Sequence, residues 1–116
     1  MGIFQRNRLT LNRVRDTVYF REGRDEIRMV VDEDALAIGR RIRRSLEYID
    51  EAKQDEAKIE SAARQFVEAV FGADQTEKLV EFYHGDMIPA FEITSLYMTK
   101  RLAKIITKAQ RNAKAF

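Results

Sequence analysis

The spacing of apolar residues changes once along this chain, near Asp32, and that change limits the possible folds more than any other feature. Up to residue 31 apolar side chains alternate with polar ones, which is typical of strands with one buried face. From Asp32 onward they recur every three or four residues, which is typical of amphipathic helices. Strands followed by helices predict an α+β fold that is mostly α, with the helices covering one face of the sheet.

Three short runs have the β pattern, and the second and third are predicted to form a hairpin. In chain order the runs are Leu9–Leu11, Val18–Phe20 and Ile27–Val31. The connection Glu22-Gly23-Arg24-Asp25 contains a glycine that can adopt positive φ, so it predicts a tight turn. The residues expected to share one face are Val18, Phe20, Ile27, Met29 and Val31. We expect a hairpin or a three-strand meander over residues 8–31 that needs a helical cover, because an isolated hairpin is marginally stable.

The first helix is predicted to begin at Asp32, an acidic N-cap that is followed by Glu33 and Asp34 in the first turn. Its apolar stripe consists of Ala35, Ile38, Ile42, Ser45 or Leu46, and Ile49. Gly39 lies inside this helix at a cost of about 1 kcal/mol relative to Ala, so we expect another backbone to approach it closely. A break is expected near Gln54 to Glu56.

The second helix has the strongest amphipathic pattern and is predicted to stop at Gly72. Its apolar stripe consists of Ile59, Ala62, Ala63, Phe66, Val67, Val70 and Phe71. Asp74 and Glu77 have the spacing of a capping box, which predicts a third helix that ends at Gly85. Asp86 can cap a fourth helix, which is apolar over more than one face. The predicted helical part is a bundle of three to four helices.

The length and the residue types exclude several classes of protein. A chain of 116 residues and 13.6 kDa forms one core, so we predict a single domain over residues 1–116 with its helical part at 32–113. Without Cys there is no disulfide, thiolate metal site or Cys catalysis. The one histidine, His84, suits the last turn of a helix, and we expect no catalytic residue, metal or cofactor. No apolar run approaches the 18 residues of a membrane span.

Basic residues are concentrated at two places, which supports an alternative function. Arg40–Arg44 contains four arginines, and Lys100–Lys114 is a basic segment, whereas residues 51–90 hold nine acidic and four basic residues. A small nucleic-acid-binding protein could use both clusters. However, the net charge is only +2, and nucleic-acid-binding domains usually show a positive excess over the whole domain. A solvated helix face, with Arg43 paired to Glu47, is favoured over nucleic-acid binding.

Most of the aromatic residues lie between residues 66 and 97, a concentration that three short helices bury only in part. We expect the remainder to form a partner-binding surface at the end of the third helix and the first half of the fourth. Its predicted residues are Phe82, Tyr83, Phe91, Leu96 and Tyr97. Exposed apolar patches mark interaction sites, and aromatic anchors commonly dominate interface energies. The same patch predicts a homo-oligomer.

Strand, turn, strand and helix are followed by AARQFVEAVFG at residues 62–72 and QTEKLVEFY at residues 75–83. In this architecture, and in its junction of helix, glycine and short helix, the chain resembles the tail assembly chaperones of long-tailed bacteriophages. The resemblance covers roughly residues 8–112. It implies a non-enzymatic viral protein of the host cytoplasm that binds and solubilises the helical tape-measure protein while tail-tube subunits assemble around it. The resemblance brings no catalytic or metal motif.

Overall fold

A computed structural model describes residues 12–51 and 55–114 of the chain. Its elements are β1 (Arg13–Glu22), β2 (Asp25–Asp34), α1 (Ala35–Glu51), α2 (Glu56–Phe71), α3 (Ala73–Phe82), α4 (Ile88–Tyr97), a π-helical turn (Met98–Leu102) and α5 (Ala103–Lys114). The backbone stays helical at Tyr97, Met98 and Ala103, so the last three elements are one continuous C-terminal helix. An antiparallel hairpin followed by four helices confirms the predicted α+β, mostly α, fold.

The hairpin closes where the turn was predicted, at Gly23-Arg24 between the paired residues Glu22 and Asp25. Gly23 has a φ of 61°, which a residue without a Cβ adopts at little cost. The inner face of the hairpin is buried and consists of Val14, Val18, Phe20, Met29 and Val31, with Ile27 partly buried. Both strands are ten residues long and exceed the predicted runs. The predicted run Leu9–Leu11 lies outside the described residues.

The prediction that Asp32 begins the first helix is wrong, because β2 continues to Asp34. Ion pairs between the strands hold this segment extended. The Asp32 carboxylate lies 2.5 Å from Nε of Arg13 and 3.6 Å from Nε of Arg15. Asp34 caps α1, since its carboxylate accepts a hydrogen bond from the Ala37 N–H at 3.2 Å. The helical part therefore begins three residues later than predicted.

The predicted stripe of α1 faces the core, and the close approach at Gly39 comes from a side chain. The buried residues of α1 are Ala35, Ile38, Ile42 and Ser45, whereas Leu46 is exposed. A Cβ at Gly39 would lie 3.0 Å from Cγ2 of Ile106 in α5, which is tighter than ordinary van der Waals contact. The expected neighbour was a backbone, so the prediction located the contact and mistook its nature.

Helix α2 begins at Glu56, at the end of the predicted break, and Asp55 caps it by accepting from the Ala57 N–H at 3.1 Å. Its predicted stripe is buried except for Ile59: Ala62, Ala63, Phe66, Val67, Val70 and Phe71. Gly72, with a φ of 83°, ends α2 as predicted and is also the N-cap of α3. Because α3 starts at once, Asp74 lies inside its first turn, and the predicted capping role is wrong.

The side chain of Gln75 in α3 is hydrogen-bonded to the backbone of β2, on the edge that faces away from β1. The Gln75 carboxamide accepts from the Val30 N–H and donates to the Val30 carbonyl, each at 2.7 Å. The same amide nitrogen donates to the Phe71 carbonyl at 2.8 Å. The end of α2, the start of α3 and the middle of β2 are therefore fastened at one point.

The helices lie against the inner face of the hairpin and against each other. Helices α1 and α2 pack together and on β2, α4 packs between α2 and β1, and α5 packs against α1. The buried apolar residues of all these elements form one core. No helix among the described residues is long and apolar enough to cross a membrane.

The contact at Gly39 predicts an energetic coupling with Ile106. Gly39→Ala gains about 1 kcal/mol in helix propensity, but its methyl group meets the Ile106 side chain. In an Ile106→Ala background the obstacle is gone, so Gly39→Ala should stabilise the protein by about 1 kcal/mol more than it does in the wild type. Urea unfolding of the four proteins measures the coupling, and simple additivity would contradict the contact.

Candidate partner-binding surface

The two sides of α4 differ in burial. The Asp86 carboxylate accepts from the Ile88 N–H at 3.1 Å, but the N-cap of α4 is Met87, so Asp86 lies one residue before the position predicted for it. Ala90 and Thr94 are fully buried on the inner side. The Thr94 hydroxyl donates to the Ala90 carbonyl at 2.7 Å, so its polar group has a partner inside the helix. The opposite side faces outward.

Tyr83, predicted as part of the partner surface, is only 4 % exposed. Its hydroxyl donates to the Arg21 carbonyl at 2.9 Å. Phe82 is half-buried and meets the Tyr83 ring edge-on, with 4.9 Å between the centroids. Tyr83 therefore fastens the end of α3 to β1, and the expectation that it is incompletely covered is wrong.

Phe91 and Tyr97, also predicted as partner residues, are half-buried against α2. The Phe91 ring lies 5.3 Å from that of Phe66, and the Tyr97 ring stacks on Phe71 at 6.1 Å. Such ring pairs contribute about 0.5 to 1.5 kcal/mol beyond their area burial. Both aromatic residues therefore stabilise the fold, and only part of each ring is exposed for contact with a partner.

Leu96 is the predicted partner residue that the structure exposes, and Ile88 joins it. Leu96 is 54 % exposed and Ile88 is 47 % exposed, on the same side of α4 and about two turns apart. Ile93 is half-buried beside them, and Glu92 is the one charged residue of α4. We call Ile88, Ile93 and Leu96 the α4 surface. The sequence reasoning missed Ile88, although its spacing of eight residues from Leu96 was a usable signal.

The Asp16 carboxylate links β1 to the C-terminal helix. It accepts from the Tyr97 hydroxyl at 2.8 Å and from Nε of Arg101 at 2.5 Å. Burial raises the pKa of Asp16, but hydrogen bonds from Arg101 and Tyr97 and the Arg101 charge together outweigh it, so the pKa lies below its usual value. Burial, followed by the Asp16 carboxylate, raises the pKa of Tyr97 far above its ordinary value. The link fixes which side of α4 faces outward.

The second half of the C-terminal helix presents a row of exposed basic side chains, which we call the basic row. Its members are Lys100, Lys104, Lys108 and Arg111. None of the four forms an ion pair with another described residue, whereas Arg101 pairs with Asp16. Helix α5 contains no acidic residue. A shallow groove of about 540 Å³ runs along this face.

The second basic cluster, Arg40–Arg44, does not act as one surface. Arg41 is bound by both carboxylate oxygens of Glu33, and its Nε donates to the Ala69 carbonyl at 3.0 Å. The other three arginines of the cluster, Arg40, Arg43 and Arg44, are exposed. The predicted pair of Arg43 with Glu47 is not among the ion pairs in the part of the chain that the structure describes. An exposed pair at this spacing would contribute only about 0.3 to 0.5 kcal/mol.

His84 and the acidic run before α1 have structural surroundings. His84 is exposed and has a φ of 53° in the turn that ends α3, where the Gly85 N–H donates to the Val80 carbonyl at 2.8 Å. The acidic run Asp32 to Asp34 is divided among arginine partners and the cap of α1. Within residues 12–51 and 55–114, no three His, Asp or Glu side chains are grouped as metal ligands.

Comparisons of the chain with protein-family models, with curated proteins and with solved structures give no match. The role of the chain therefore has to follow from the chemistry of its own surface. Two features of that surface have no partner among the described residues and lie on one helix, namely the α4 surface and the basic row.

The Asp16 link predicts a pH dependence of stability. Because the pKa of Asp16 is lower in the folded state, its contribution is present above the unfolded-state value of about 3.9 and is lost as pH falls through the folded-state value. Asp16→Asn should therefore lower the free energy of unfolding by about 1 to 3 kcal/mol at neutral pH and flatten its decline below about pH 4. Urea unfolding across pH measures both effects.

The matched control is Asp25→Asn, at an exposed carboxylate of the same hairpin without an ion pair among the described residues. This variant should keep the stability and the pH dependence of the wild type. Equal pH dependence of Asp16→Asn and the wild type would contradict the link.

Proposed function

We propose that this protein is a non-enzymatic tail assembly chaperone of a long-tailed bacteriophage, and that it binds the helical tape-measure protein through the α4 surface. The observation that carries the proposal is the pair Ile88 and Leu96, which lie on one side of a helix that has a single charged residue. The resemblance of residues 62–83 to this class of chaperones supports the same function. Tail-tube subunits are a second class of partner in this proposal.

Such a chaperone acts by covering the apolar side of its partner helix. A long amphipathic helix aggregates through its apolar side unless another apolar surface covers that side. Fully burying a Leu or Ile side chain contributes about 1.5 to 3 kcal/mol, so the remaining exposed half of Ile88 and of Leu96 offers roughly 1 kcal/mol each. Helix recognition of this kind reads apolar anchors at positions three, four or seven residues apart. Positions eight residues apart belong to the same apolar stripe of a helix.

The same surface gives a reason for the expected self-association. Without the tape-measure protein, two copies of the chain can bury their α4 surfaces against each other. In this proposal the oligomer protects the chaperone before its partner is made, and partner binding competes with it.

The test is co-expression with the tape-measure protein encoded in the same genome. The wild-type chain should raise the soluble fraction of that protein. The double variant Ile88→Gln/Leu96→Gln should reduce its affinity by about tenfold or more, since two exposed anchors are lost. Its own unfolding free energy should change little, because the replaced side chains are half exposed.

The control variant is Tyr19→Gln/Val30→Gln, which removes equally exposed apolar side chains from the outer face of the hairpin. Tyr19 is 52 % exposed and Val30 is 53 % exposed. The control should solubilise the partner as the wild type does. An unchanged solubility of the tape-measure protein with wild-type chain would exclude the proposed function, and equal loss in both variants would exclude the α4 surface as its site.

A further inference from the structure

The α4 surface and the basic row lie on one continuous helix, and seven of its exposed residues form a line. Most of this line advances in steps of four, the spacing of neighbours on a helix face. In chain order it consists of Ile88, Glu92, Leu96, Lys100, Lys104, Lys108 and Arg111, and every one of them is exposed. Its first part is mainly apolar and its second part is basic.

The π-helical turn Met98–Leu102 keeps the two parts in line. A turn of this type inserts about one extra residue, which rotates everything after it by roughly 100° relative to an uninterrupted α-helix. Burial follows that rotation: Ala90 and Thr94 before the turn and Leu102 and Ile106 after it all face the core. The opposite side, with the apolar and basic parts, therefore stays on one face along the whole helix.

The fold itself does not use the basic row. The favourable interaction of a cation with a helix C-terminus is confined to the last turn. Lys100, Lys104 and Lys108 lie more than one turn before the end of α5 at Lys114, so the helix dipole does not account for them. They also have no acidic partner among the described residues.

We infer that the partner segment is an amphipathic helix with an apolar half and an acidic half. This inference rests on the proposed function and adds the chemistry of the partner. The apolar half covers the α4 surface, and Asp or Glu side chains about four residues apart lie opposite the basic row. From Ile88 to Arg111 the face is about 35 Å long, which a partner helix of about 24 residues spans.

Charge complementarity selects this occupant over a nucleic acid. A phosphate backbone would be attracted to the basic row, but the same face continues into Ile88 and Leu96 and carries the acidic Glu92, which phosphates avoid. An acidic protein helix with an apolar end matches both parts. Exposed charges of this kind accelerate and orient association and weaken with salt.

The experiment uses the full chain and synthetic helical peptides of about 24 residues with one common apolar half. The other half carries Glu, Gln or Lys at the positions that face the basic row, and each peptide is made in both orders of its halves. Fluorescence anisotropy measures binding at about 50 mM and about 500 mM salt. In the better order, the Glu peptide should bind about tenfold more tightly than the Gln peptide at low salt, the Lys peptide should bind least tightly, and the differences should shrink at high salt.

Two matched variants locate the effect. Lys100→Gln/Lys104→Gln/Lys108→Gln/Arg111→Gln should bind the Glu and Gln peptides equally. Arg24→Gln/Arg28→Gln/Lys58→Gln/Lys78→Gln removes the same charge from exposed positions elsewhere and should keep the preference for the Glu peptide.

The outcomes separate this inference from the proposed function. If all peptides bind equally and Ile88→Gln/Leu96→Gln weakens them all, the acidic half is wrong and the α4 surface stands. If no peptide binds the wild type although the wild type solubilises the tape-measure protein, the inferred partner segment is wrong and the proposed function stands. If single-stranded DNA displaces the Glu peptide and binds Ile88→Gln/Leu96→Gln as tightly as the wild type, the basic row serves a polyanion and the inference is overturned.

Discussion

The buried inner face of the hairpin is the constraint on which the rest of the structure depends. Two strands alone cannot bury Phe20, which is fully covered and meets Phe71 edge-on at 5.3 Å between the ring centroids. To cover Phe20, α2 and α4 must pack against the inner face of the sheet at fixed positions. Each later element is then positioned by contact with something that already touches the hairpin, as α5 is by its contact with α1.

The position of α4 connects this packing to function. Its inner side is used by the core, and Asp16 fixes the rotation of the helix by holding Tyr97 and Arg101. The outer side is then unavoidably solvent-facing, including its apolar residues. The helix therefore has a specific chemical property, namely a face that is apolar at one end and cationic at the other.

Local patterns in the sequence predicted much of the fold, and contacts between distant residues explain the errors. The turn at Gly23, the order of helices and the junction at Gly72 depend on neighbouring residues and were predictable. The extended conformation of Asp32 depends on arginines in β1, far away in sequence. Likewise, the aromatic side chains of Tyr83 and Tyr97 made both residues candidates for partner binding. In the structure their hydroxyls bond to residues 62 and 81 positions away along the chain, so both side chains belong to the fold. The exposure of Leu96 was predictable, because Leu96 has no such contact with a distant residue. The π-helical turn was not predictable, because the sequence contains no comparable signal for it.

The bond between Gln75 and Val30 has a consequence for the solubility of the chain. A two-stranded sheet has two edges, and each exposed edge is a template onto which a strand of another molecule can add. The carboxamide of Gln75 presents the donor and the acceptor of a peptide group, and so it occupies the place of a third strand for one residue. A carboxylate there could accept but not donate, and it would leave the Val30 carbonyl open to a foreign strand. One amide thus keeps the middle of this edge from pairing with a strand of another molecule.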